Sequence, residues 1–153
     1  MIALGCDHGG YSLKQEIKAY LEEQDIPYQD FGTDSCDSCD YPDYARAACA
    51  AVLDGSCEKA LLFCGTGVGI SIAANKLKGI RAACCSDYFS AKYTRLHNDA
   101  NVLCLGGRVV GPGLACELVD VFLHTEYEGG ERHERRLKKI EALETEKDTN
   151  EQE

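Results

Sequence analysis

Along the chain, short apolar runs alternate with stretches whose apolar residues recur at helical spacing, the pattern of β-α-β units built around a parallel sheet. Five runs predict strands: "MIALGC" (1–6), "IPYQDF" (26–31), "KALLFC" (59–64), "IRAACC" (80–85) and "NVLCLG" (101–106). The second is the weakest, because Pro27 cannot donate to a ladder. Leu13, Ile17, Tyr20 and Leu21 share one helical face, as do Leu114, Leu118, Val121 and Phe122, which predicts two half-buried helices. Pro42 suits the start of a helix over "DYARAACAAVLDG", and "SDYFSAKYTRLHN" predicts another that carries His97 at its end. This order of elements predicts a doubly wound α/β domain with a five-stranded parallel sheet, whose ligands bind at the carboxyl ends of the strands.

A length of 153 residues fits one domain, here 1–144. Residues 144–153, "ETEKDTNEQE", hold five acids, one lysine and no apolar residue, so 145–153 reads as an acidic, frayed tail. The formal net charge of −10 argues against nucleic acid or an anionic membrane as partner. Ten cysteines would suggest disulfides in a secreted chain, but "MIALGCDHGG" is no signal peptide and no apolar run is long enough to span a bilayer. The expectation is a cytoplasmic protein with reduced thiols. Cys36 and Cys39 form a CxxC in the acidic "TDSCDSCDYPD", without the second pair or nearby His pair that zinc needs, so no metal and no cofactor is expected. Cys84 and Cys85 read as core and near-core packing.

The third strand ends at Cys64 and runs into "GTGVG", then a helix from about residue 70 to 77. Glycines let backbone N–H groups approach a ligand, and the helix start adds its positive dipole end, so Gly65, Thr66, Gly67, Val68 and Gly69 form a candidate anion cradle. A dinucleotide site is a weaker reading even with Asp87 at a suitable distance, since GxGxG is not GxGxxG and the loop follows the third strand. A tight turn beside a structural cysteine is the plain alternative. "DHGG" after strand one contributes Asp7 and His8, and "LHNDAN" before strand five contributes His97 and Asn98, all expected near the same sheet edge.

"GCDHGG", "DYPDYA", "CGTGVGISIAANK", "GIRAA", "HNDANVL", "GGRVVG" and "GGERHERR" together resemble the ribose-5-phosphate isomerase B family, which also contains allose-6-phosphate and galactose-6-phosphate isomerases. The resemblance runs in order from about residue 1 to 144. It implies a metal-free aldose–ketose isomerase of Rossmann-like fold, a homodimer or dimer of dimers with active sites shared between subunits. It further implies Cys64 as the base that moves a proton between neighbouring carbons of a sugar phosphate. A thiolate is favoured near a helix N-terminus, and the glycine-loop N–H groups would hold the developing oxyanion. Thr66 would shuttle a proton between sugar oxygens, Asn98 would donate to one of them, and His97 would open the furanose ring, with Asp7 assisting or orienting the sugar. The family pattern gives phosphate contacts to His8, Arg108, Arg132 and Arg136, and a sugar or phosphate contact to Tyr41. One branch of the family carries a glutamate base where this chain has Ile70, so this chain falls in the cysteine branch. Arg132, Arg136, Ile140 and Leu143 share one helical stripe and are expected to point inward, with Arg135, Lys138 and Lys139 solvated. An isomerase of a six-carbon aldose phosphate and a non-catalytic phosphosugar-binding subunit remain alternatives.

Overall fold

The computed structural model describes residues 1–149. Strands β1 (Ile2–Cys6), β2 (Tyr28–Asp30), β3 (Lys59–Cys64), β4 (Ala82–Cys84) and β5 (Val102–Gly106) form one parallel sheet in the order β2-β1-β3-β5-β4. Helices α1 (Tyr11–Glu23), α2 (Tyr41–Leu53), α3 (Val68–Ala74), α4 (Tyr88–Asn98) and α5 (Pro112–His124) connect and cover it, and α6 (Glu131–Thr149) ends the described chain. Every residue of β1, β3 and β5 is buried, which is why these strands read as unbroken apolar runs. The edge strands β2 and β4 are shorter than the runs that predict them, because each has only one neighbour to pair with.

One face of the sheet packs Leu61, Phe63, Leu103 and Leu105 against Leu13, Ile17 and Leu21 of α1 and Leu118 and Phe122 of α5. The other packs Leu62, Cys64, Val102 and Cys104 against Ala45, Ala48 and Cys49 of α2 and Ile70 and Ala74 of α3. The small residues of α2 let that helix lie close to the sheet: a Cβ on Gly5 would meet the Tyr44 carbonyl oxygen at 2.9 Å. Three expectations need correction. Leu114 is exposed and Ala115 takes the inward place at the start of α5, since the phase of a helix is set by its whole buried face. Cys85 is buried but Cys84 is exposed, because β4 is an edge strand that ends there. Helix α6 continues to Thr149, into the stretch expected to fray; glutamate and lysine propagate a helix already nucleated by packing. The remainder of the expected tail, 150–153, lies outside the described residues.

A buried cation ties α1 to the loop after β2. Lys14 is fully buried and its Nζ donates to Asp30 Oδ1 at 2.7 Å and to the Thr33 carbonyl at 2.7 Å, while Lys18 Nζ reaches Asp30 Oδ2 at 3.0 Å. Burial pushes the Asp30 carboxyl up, but hydrogen bonds from Lys14, the Gly32 N–H and Lys18 outweigh it and hold it below its ordinary value. A folded-state value below the unfolded one stabilises the fold above pH ~3.9 and is lost as pH falls through the lowered value. Lys14→Met should therefore cost about 1–3 kcal/mol in urea unfolding at pH 7, because the Thr33 carbonyl loses the Lys14 donor and Asp30 keeps only Lys18 and the Gly32 N–H. The gap from wild type should narrow as the pH is lowered through the acid range. A gap independent of pH would show that packing alone, rather than the ion pair, holds Lys14 in place.

Candidate active site

Strand β3 delivers Cys64 to the carboxyl edge of the sheet, where the chain turns at once into α3. Gly67 makes that turn at φ +79°, in the left-handed region that favours glycine. The turn brings the Gly67 N–H to 3.1 Å from Cys64 Sγ, so a backbone donor is aimed at a sulfur that is only 4% exposed. Thr66 stands exposed at the tip, its Oγ1 accepting from the Val68 N–H at 3.2 Å. Ile70 is fully buried in the core, on the inner side of α3.

Two neighbouring strand ends lock onto this turn through bare backbone. A Cβ on Gly10 would sit 2.4 Å from the Phe63 carbonyl carbon, one on Gly106 2.6 Å from that of Thr66, and one on Gly107 2.5 Å from the Gly9 oxygen. Gly107 N–H donates to the Cys64 carbonyl at 2.8 Å and Arg108 N–H to that of Gly65 at 3.0 Å. Asp7 is buried and its Oδ1 accepts from the Gly9 and Gly10 N–H groups at 2.9 and 3.1 Å, holding the turn after β1. His8 accepts at Nδ1 from the Cys39 N–H at 3.2 Å, which in a neutral ring puts the proton on Nε2. The Arg108 guanidinium lies over Gly65 and the Tyr41 ring over Gly69: a Cβ on each glycine would meet Arg108 Nη1 at 3.1 Å and the Tyr41 hydroxyl at 3.0 Å. Asp7, His8, Tyr41, Cys64 to Gly69 and Arg108 are thus one assembly, with a thiol, exposed backbone turns and two cation-capable side chains.

His97 and Asn98 are not part of it, which corrects the expectation that they share this edge. A residue that precedes a parallel strand lies at the strand's amino end. Asn101, just after α4, accepts from the N–H of Ala60 at the start of β3 and donates to Arg81 just before β4. From Ala60 to Cys64 the sheet extends about 13 Å, so within one chain His97 and Asn98 lie at the opposite edge. Asn98 lines a groove of about 860 Å³ there with Arg81, Leu77, Ile140 and Leu143. The inward stripe predicted for α6 is also corrected. His133 and Leu137 are the buried side chains, whereas Arg132, Arg136, Ile140 and Leu143 are exposed, as are Arg135, Lys138 and Lys139. Packing against α4 through His133 sets a different phase from the apolar count alone.

Sequence reasoning missed Glu128 and His133. Glu128 Oε1 lies 3.2 Å from His97 Nε2 and 3.0 Å from His133 Nε2, and the two imidazoles stack at 4.4 Å between centroids. These are the residues whose atoms could jointly hold a metal ion among those described; no short sequence spacing links all three. Among the thiols packed near Cys64, burial pushes Cys49 up to about 12 and Cys104 well above its ordinary value.

A sequence profile described as Ribose/Galactose Isomerase matches residues 2–140. The chain belongs to that family. It is 51% identical over 143 residues to ribose-5-phosphate isomerase B of Escherichia coli (strain K12), covering 94% of this chain and 95% of that one. It is 38% identical over 143 residues to a galactose-6-phosphate isomerase subunit of Clostridium acetobutylicum, covering 94% and 83%. Its fold matches a structure of Clostridium thermocellum ribose-5-phosphate isomerase B with a TM-score of 0.93 at 49% identity, over 95% of this chain and 97% of that one.

The bare-backbone contacts make a sharp expectation. Gly106→Ala should lose about 1–3 kcal/mol of stability, since its methyl has no space beside Thr66. Gly113→Ala in α5 meets nothing and should be neutral or stabilising by up to about 1 kcal/mol. Thermal or urea unfolding of both variants checks the contrast, and equal effects would contradict the interlock.

Proposed function

We propose that the chain interconverts ribose 5-phosphate and ribulose 5-phosphate in the cytoplasm, as a homodimer or dimer of dimers in which each active site takes residues from two copies. The observation that carries the reading is the Gly67 N–H aimed at Cys64 Sγ at the end of β3. Family membership supports the reaction class, and the higher identity to the ribose-5-phosphate isomerase B than to the galactose-6-phosphate isomerase subunit supports the five-carbon sugar. Ten free thiols support a reducing compartment, and among the described residues no helix is long and apolar enough to cross a membrane.

In this reading Cys64 removes the proton from carbon 2 of the open aldose and returns it to carbon 1. The N–H groups of the turn stabilise the enediolate oxygen from fixed positions, a contribution typically of a few kcal/mol. Thr66, at the exposed tip, moves a proton between the two sugar oxygens, and His8 and Arg108 hold the phosphate beside them. Asp7 keeps the turn after β1 in register with Gly65. Tyr41 bounds the cradle over Gly69.

Ring opening requires a second acid–base group, and no titratable group in that assembly is left for it once these roles are assigned. His97 has the suitable chemistry but sits at the far edge of its own sheet, so the His97, Asn98, Arg132 and Arg136 of one copy complete the Cys64 site of another. Exposed Val68 and Ile72 on α3, beside the cradle, and exposed Ile140 and Leu143, beside the arginines, give apolar surface for that contact. The arginine stripe then faces inward in the assembly although it is exposed in one chain.

Complementation tests the sharing directly. Cys64→Ala and His97→Asn should each lose most turnover of ribose 5-phosphate, and a mixture re-equilibrated from unfolded chains should recover to about a quarter of wild type, because half the dimers carry one site free of both changes. No recovery from a mixture shown to contain mixed dimers would overturn the shared site.

The division of labour has its own readout. Ribulose 5-phosphate cannot close to a furanose, since the hydroxyl it would use carries the phosphate. His97→Asn should therefore still exchange solvent deuterium into carbon 1 of ribulose 5-phosphate while losing conversion of ribose 5-phosphate, and Cys64→Ala should lose both. Loss of exchange in a folded, sugar-binding His97→Asn enzyme would show that His97 acts in proton transfer at carbon as well.

A further inference from the structure

Three side chains from three segments meet beside the far edge of the sheet. His97 lies in the last turn of α4, Glu128 in the loop between α5 and α6, and His133 in the first turn of α6. Their arrangement is held by backbone. The Glu128 N–H donates to the Leu96 carbonyl at 3.3 Å, and Gly129 and Gly130, at φ +71° and +99°, turn the chain sharply into α6. His133 is 8% exposed, while His97 and Glu128 remain open to solvent.

The donor atoms suit a small divalent cation. Glu128 Oε1 stands 3.2 Å from His97 Nε2 and 3.0 Å from His133 Nε2, and the ligand atoms of all three lie within 4.8 Å of one another. Two ligands bonded to zinc at about 2.1 Å in tetrahedral geometry are about 3.4 Å apart, close to the two carboxylate–imidazole distances, and the ion is seated when the stacked rings, 16° apart in plane, rotate so that both Nε2 lone pairs converge on it. Two neutral imidazoles and one carboxylate form a borderline-soft set that suits zinc better than magnesium or calcium. Three protein ligands leave a fourth position for water.

We propose that His97, Glu128 and His133 form a Zn²⁺ site that acts as a brake on the enzyme. Bound zinc takes the lone pair of His97 Nε2, the atom that would otherwise accept or deliver the ring-opening proton. The inhibitory part rests on the role given to His97 above; the binding part does not. The ion is no cofactor, and removing it with chelator leaves or raises activity.

The experiment follows the imidazole signals of the four histidines by NMR during a chelator-buffered zinc titration of the full chain, on a background with Cys36→Ser and Cys39→Ser to remove the exposed CxxC thiols. The His97 and His133 signals should shift together, with His8 and His124 unmoved. Zinc held by any other thiol would leave all four in place. Glu128→Gln should weaken zinc binding at least ~10-fold, since loss of even an outer-sphere partner typically costs that much, and His133→Gln should do the same if Glu128→Gln fails to fold. Zinc should suppress conversion of ribose 5-phosphate while sparing deuterium exchange into ribulose 5-phosphate. Unshifted His97 and His133 signals at micromolar free zinc, or wild-type affinity in both folded variants, would overturn the site. Shifted signals with undiminished ribose 5-phosphate conversion would uphold the site and instead overturn the ring-opening role of His97.

Discussion

The carboxyl edge of the sheet depends on backbone meeting backbone with no side chain between. At Gly10, Gly106 and Gly107 even a methyl group would overlap the main chain of a neighbouring strand end. Because these approaches are so close, the turn after Cys64 is buttressed from both sides, by the chain after β1 and by the chain after β5. The N–H of Gly67 is consequently fixed on the sulfur, rather than left to a mobile loop, before any ligand arrives. A group that must stabilise charge as it forms acts best when it needs no reorganisation, which is what this interlock supplies.

The same topology explains why one chain does not hold every group that the proposed chemistry needs. In a parallel sheet each helix starts at the carboxyl edge and ends at the amino edge. Residues at helix ends, such as His97 and Asn98, are therefore separated from residues at strand ends by the length of the strands. A second copy can bridge that separation, and the acidic chain can then gather the cations Arg132 and Arg136 on an exposed helix face without facing their repulsion in its own core. The proposed division of the site across an interface would answer this constraint of the fold, and the exposed apolar residues beside each half offer surface for it.

The strands, their order along the chain and the cradle were legible in the sequence because each rests on a local pattern: an apolar run, a glycine turn, a cysteine at the junction. Asp7, His8, Cys64 and Gly67 could be placed together because all follow the ends of strands. Nearness in the chain to β5 says nothing of the ligand end for His97, because a residue that precedes a parallel strand lies at the strand's other end. The α6 stripe departs from its periodicity for a different reason. Its true inner face is set by His133 stacking on His97, a contact between helices that no periodicity within α6 contains. Glu128 carried no signal in sequence, since its meaning comes from a loop folding back onto the end of α4.

Ten cysteines in one chain pose the question of what distinguishes the one at residue 64. Composition cannot answer it, and neither can burial, because Cys6, Cys49, Cys57, Cys85 and Cys104 are buried as well. The difference is the partner. Burial pushes Cys6 and Cys85 up to about 11 and Cys49 to about 12, which leaves them as inert packing groups. Cys64 has a backbone N–H on its sulfur and an open turn beside it. Ile70 completes the contrast: it fills the core under α3 and offers no group that could take a proton, which agrees with the proposed role of the sulfur. The thiol, the turn and the buried isoleucine together set Cys64 apart from the other buried cysteines, since among these it is Cys64 Sγ that meets a backbone N–H beside an open turn.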